Sequence, residues 1–266
     1  MKRITCAALA LCLLACLAAC TPASPEPEIT AAPFEIAQFR EGLRQWDNPW
    51  DLENYVLLWA AYEWPEELRD EMLLAILGSM NFGHEVNGGD PPLALYGIET
   101  FEGTLYYTLD CVALTRALQG KLTPSGGRYL ELSAMERMAD DAALIVPYDT
   151  LLERILLWEA FERDHAAFDQ LRRTSENLSF EYFSLVFVYW YLFGIDNSPV
   201  YNPDSGRINP ALRESYAAFL ADEENKNSAY YGAVQEAYDL WQARDWRWSD
   251  KLQDELFAIG AGLPQS

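Results

Sequence analysis

Apolar side chains recur along most of the chain at steps of three and four residues, the spacing that lines one face of an α-helix. Phe34 to Trp46 carries Phe34, Ile36, Phe39, Leu43 and Trp46 in this way. Asn48-Pro49 starts a second helix, with Leu52, Tyr55, Val56, Trp59 and Tyr62 at helical spacing. Trp64-Pro65-Glu66-Glu67 opens a third, which runs to about Met80. Proline in a first turn forfeits no hydrogen bond, and acids there meet the positive end of the helix dipole. Asp110 caps a helix that carries Val112, Leu114 and Leu118 and ends at Gly120. A Gly-rich break at Pro124-Ser125-Gly126-Gly127 precedes a helix expected near Ser133 to Leu144. The longest pattern, Asp149 to about Ser175, places Leu151, Ile155, Trp158, Phe161, Phe168 and Leu171 on one stripe, with His165 among them.

The second half adds a different pattern. Phe180 to Phe193 is apolar on nearly every side and too short to span a bilayer; its valines and aromatics also permit a buried strand, and its length tips the reading to a central buried helix. Asn209-Pro210 caps a helix to about Asp222, Ala229 to Arg244 forms another, and Ser249 caps the last, which ends at Gly260. Leu93 to Ile98 and Thr104 to Leu109 are aromatic and β-prone around a turn at Glu102-Gly103. The expected fold is mainly α, a multi-helix globular domain with room for one small β-hairpin.

The N-terminus follows a separate logic. Met1-Lys2-Arg3 is basic, Ile4 to Leu17 is apolar and uncharged, and small residues follow. That is the grammar of an export signal. Leu17-Ala18-Ala19-Cys20 resembles the lipobox of bacterial lipoproteins, a resemblance confined to the first 20 residues. It implies removal of residues 1–19, lipidation of Cys20, and an extracytoplasmic domain anchored to a bacterial membrane. Residues 20–33, with four prolines after the cysteine, then read as an extended tether, and 34–266 as the acidic ectodomain. Of the five cysteines only Cys111 lies in that domain, which excludes an intrachain disulfide there.

Charge narrows the partners. The 266 residues carry 41 acidic and 19 basic groups, a formal −22, which opposes nucleic acid and anionic headgroups alike. The lipid itself must therefore attach the protein to the membrane.

Catalytic motifs are sparse. His84-Glu85 begins a metalloprotease-like string, but Gly88 stands where the second histidine is required. Cys111, at the start of a helix, lacks a local base. Glu99, Glu102 and Asp110 flank the hairpin among tyrosines, and Glu102 with Asp110 is the acid pair of an alternative reading as a cell-wall glycan hydrolase. Trp241, Trp246 and Trp248 with Tyr230, Tyr231 and Tyr238 could form a stacking platform, though aromatics at helical spacing usually pack inward. The segment from Ile195 to Asn209 is rich in Asp, Asn and Ser. Asp196 and Asp204 are its candidate ligand or cation contacts, and Gly206 permits the turn between them. An EF-hand register fails there, which leaves an irregular calcium site set against a loop closed by Asx-turns. No other cofactor is called for.

These readings point to a lipid-anchored cell-envelope protein that binds peptide, glycan or protein without catalysis. The alternatives are the carboxylate hydrolase and a structural partner in an envelope complex. Intact-mass analysis of membrane-extracted protein should give a chain that starts at a diacylated Cys20, and Cys20→Ala should leave it unprocessed or release it. An unmodified cysteine in the wild-type protein would remove the basis for the localisation.

Overall fold

The computed structural model describes residues 35–46, 48–80, 83–101, 103–135, 139–140, 143–144, 146–172, 202 and 204–261. The signal, Cys20, the tether, Glu102, Asp196 and the Phe180 to Phe193 segment lie outside them.

Three helices open the domain: α1 (Ile36–Arg44), α2 (Pro49–Ala60) and α3 (Arg69–Met80), the last preceded by a 3-10 turn at Glu66–Leu68. Asn48 accepts the Asp51 N–H at 2.9 Å and Pro49 occupies the first turn, so α2 starts where its cap dictates. Its inner face buries Leu52 and Val56 against Phe39 and Leu43 of α1 and Met72, Leu73 and Ile76 of α3. Phe39 sits at the centre of an aromatic group, 5.4 Å from Trp59 edge-on and 6.5 Å from Trp64. Helices α1 and α2 come unusually close at Gly42, where a β-carbon would fall 1.9 Å from the Tyr55 hydroxyl.

A three-stranded antiparallel sheet follows, in the order β1 (His84–Glu85), β3 (Thr104–Leu109), β2 (Tyr96–Phe101). The hairpin is real, displaced a few residues toward its turn relative to the Leu93 to Ile98 expectation. Tyr96 pairs with Leu109 and Phe101 with Thr104, which leaves a two-residue connection containing Gly103 at φ 80°. Sheet and helices are joined by a buried carboxylate. Glu53 of α2, 7% exposed, accepts the Leu95 N–H at 2.6 Å, and the Leu95 carbonyl accepts the Asp110 N–H at 2.9 Å.

Asp110 caps α4 (Cys111–Ala117) through two backbone N–H groups at 2.9 Å. The next stretch departs from expectation. Helix α5 spans Pro124–Ser133, across the glycines read as a break, and the chain expected to be helical from Ser133 to Leu144 instead holds a minimal hairpin of β4 (Ala139–Asp140) and β5 (Ala143–Leu144). Tertiary packing overrides the poor helix propensity of glycine here. Thr123 caps the helix by accepting the Gly126 N–H at 3.0 Å, and a β-carbon on Gly126 would lie 2.8 Å from Leu73. The glycine is what lets α5 approach α3.

The long stripe splits in two. Helix α6 (Tyr148–Asp164) ends at His165, and α7 (Ala166–Arg172) continues it on a new axis. Tyr148, Leu151, Leu152 and Ile155 pack into a core with α8 (Pro210–Ala221), α9 (Tyr231–Ala243) and α10 (Asp250–Ala261). Trp158 and Phe161, one and two turns further on, meet Tyr129 of α5 at 5.7 and 5.9 Å. Among the described residues no helix is long and apolar enough to cross a membrane.

Two expected outcomes follow from the buried polar groups. Glu53→Ala leaves the buried Leu95 N–H without an acceptor and should cost about 1–3 kcal/mol in denaturant unfolding. Burial, assisted by the Glu53 charge, pushes the Tyr96 hydroxyl up to about 12, and burial also raises Tyr216. The unfolded chain then loses these phenolic protons first as pH rises past their ordinary value near 10. Stability should be level below that pH and fall above it toward 12, and Tyr96→Phe should make the fall shallower. An unchanged alkaline slope in Tyr96→Phe would show that this hydroxyl is not the source.

Candidate functional site

A groove of about 730 Å³, within the range of small-ligand sites, opens beside α1, α2 and α3. Leu43 of α1 and Leu52 of α2 form its buried floor, and Ala75, Gly78 and Ser79 of α3 form one wall. Arg40, Arg44 and Trp46 come from α1 and its C-terminal extension, and His84 from β1 completes the rim.

The lining is polarised in an unexpected sense. Among its described residues are two arginines and one histidine and no carboxylate, on a chain with more than twice as many acids as bases. Arg40 donates to Glu71 at 2.8 Å, which fixes its position and leaves further N–H donors. Arg44 lies 4.0 Å from Glu41 with both side chains mostly exposed, a pairing of little energetic weight. Trp46 is 40% exposed, so part of its indole face is open to a ligand. Gly78 leaves its stretch of helix wall bare, since a β-carbon there would meet nothing within 4 Å.

None of these residues was singled out for binding in the sequence, where His84 entered only through a metalloprotease-like string that fails at Gly88. The signal was weak because Arg40 and His84 are far apart in sequence and meet only through α1, α3 and the sheet edge. His84 now sits in a two-residue strand opposite Tyr107.

The residues named from sequence have other surroundings. The Asp110 carboxylate caps α4, and its intended partner Glu102 lies outside the described residues. Asp204 is exposed, and its N–H donates to the Asn202 side chain at 2.9 Å, with Ser205 N–H donating to the same oxygen at 3.0 Å. That is an Asx-turn, completed by Gly206 at φ 65°. Among the described residues no group of three or more His, Cys, Asp and Glu side chains converges to hold a metal. Cys111 is half-buried, and burial together with the neighbouring Asp110 charge pushes its thiol up, away from the reactive thiolate.

His165 has a partner that the sequence did not suggest. Its Nδ1 lies 3.0 Å from Ser125 Oγ, and its ring packs on Phe161 at 5.0 Å. A nucleophilic serine also needs oxyanion donors. The nearby Gly126 and Gly127 N–H groups are already bonded to Thr123, and the Ser125–His165 contact joins α5 to the residue between α6 and α7. No protein-family model, curated protein sequence or solved structure matches this chain.

The bare wall at Gly78 permits a direct check of the groove's geometry. Gly78→Ala should raise stability by about 0.5–1 kcal/mol, the helix-propensity gain of alanine over glycine at an unobstructed site. A loss in chemical denaturation would mean that the wall is covered.

Proposed function

We propose that the chain is a lipid-anchored cell-envelope protein that binds, without turning over, a small anionic peptide or glycan in the groove between α1, α2 and α3. The observation that carries this reading is the concentration of Arg40, Arg44 and His84 beside an open tryptophan in an otherwise acidic protein. Arginine forks match carboxylate geometry, and an indole face stacks on a sugar or peptide plane. The lipobox-like Leu17-Ala18-Ala19-Cys20 supports the envelope location, where wall fragments carry both carboxylates and sugar rings.

The test uses the detergent-purified full-length protein and a soluble enzymatic digest of bacterial cell wall, with mass spectrometry of the retained and the free material. Acidic fragments should be retained at unchanged mass. Gly78→Phe, which fills the groove from an open position, and Arg44→Glu, which inverts a rim charge, should each lower retention by about tenfold, the loss of one good charge-assisted contact. New cleaved masses would instead favour the carboxylate hydrolase. Equal retention by wild type and both variants would overturn the groove as the site.

A further inference from the structure

A second cavity lies where α9 ends, and it is built on strained backbone. Asp245 and Trp246 have φ of 52° and 57°, in the left-handed region that glycine favours and that is an outlier for so bulky a side chain as tryptophan. Trp246 N–H donates to the Trp241 carbonyl at 2.9 Å, which closes the helix end. The neighbouring turn holds this conformation from the other side. Ile208 N–H donates to the Trp246 carbonyl and Trp248 N–H to the Gly206 carbonyl, both at 2.8 Å. The outcome is positional: Trp246 is 9% exposed, with Tyr238 edge-on at 4.9 Å and the Arg213 guanidinium of α8 over its ring at 4.9 Å.

Arg213 differs from the other cations around it. Arg207 donates to Asp245 at 2.9 Å, Arg247 approaches the same carboxylate at 3.7 Å, and Arg244 is bonded to Glu255. Among the described residues Arg213 has no carboxylate partner. The contact with the indole engages the charge of the guanidinium and takes up no carboxylate-binding hydrogen bond. Exposed Arg213 lines, together with Arg207, Asn202 and Ser205, a cavity of about 500 Å³ with no acid among its described lining residues.

We infer that this cavity is an oxyanion site that takes the carboxylate or phosphate group of a small ligand. Arg213, held in place by Trp246, is the forked donor, and Arg207 is the second cation. The strained turn supplies the rigidity, because it fixes the indole on which the donor rests. Nothing here depends on the groove between α1 and α3, and failure of either site leaves the other standing.

The experiment follows the arginine side-chain N–H signals of the ¹⁵N-labelled full-length protein in detergent. Inorganic phosphate and sodium acetate are titrated separately at constant ionic strength. The Arg213 signal, identified by its disappearance in Arg213→Lys, should shift and saturate with at least one of the two. Saturation by phosphate alone identifies a phosphate ligand, by acetate alone a carboxylate, and by both a site for either group. By calorimetry, Arg213→Lys should weaken that binding about tenfold although it keeps the charge, since lysine has no planar fork. Arg207→Gln, at a half-exposed side chain, should weaken it as well and stands as the second variant. No saturation of the Arg213 signal by about 50 mM of either anion, weaker than any affinity that two arginines should give, would overturn the site. So would unchanged affinity in both variants.

Discussion

Helix α6 buries its first two turns against one set of helices and its last two against another, and the arrangement on either side follows from that constraint. Tyr148, Leu151, Leu152 and Ile155 are enclosed by α8, α9 and α10. Trp158 and Phe161 are enclosed with Tyr129 of α5 and Phe168 of α7. Each such side chain contributes roughly 1.5–3 kcal/mol by leaving water, so neither contact is dispensable to a domain of ordinary stability. The seventeen residues of α6 extend about 25 Å, long enough to serve both cores without a bend. The break comes only at His165, where Ser125 anchors the joint and α7 can turn to bury Phe168.

At the front of the domain, close approach takes the place of long reach. Gly42 leaves room for the Tyr55 ring of α2, and Gly126 for the Leu73 side chain of α3, where a β-carbon would collide with each. Between α1, α2 and α3 lies the groove, which Arg40 and Arg44 line together with buried Leu43 and Leu52. Gly78, which touches nothing, opens the wall.

The surface electrostatics divide between a global and a local field. The formal charge of −22 repels anions at long range. Within a few ångströms the balance is set by individual side chains, because a contact pair is screened far less than distant charges. The groove beside Trp46 and the cavity beside Trp246 each place two arginines where no described lining residue is acidic. A weak but selective attraction for small oxyanions is therefore compatible with a strongly acidic chain.

What the sequence determined was local. Asn48-Pro49, Asp110, Asn209-Pro210 and Ser249 each start a helix by satisfying backbone N–H groups within three residues, so their effect is legible without knowledge of the fold. The apolar stripe of α6 and the hairpin around Gly103 are legible for the same reason, since period and turn chemistry act between near neighbours. Only the tertiary structure decided that Gly126 and Gly127 lie within a helix, where Gly126 faces Leu73 of another element. It also decided that His165 meets Ser125, that Arg40 and His84 share a rim, and that Trp246 turns inward at a positive φ. Each of these depends on groups tens of residues apart, and their relative position is set by packing of whole helices, which no local spacing encodes.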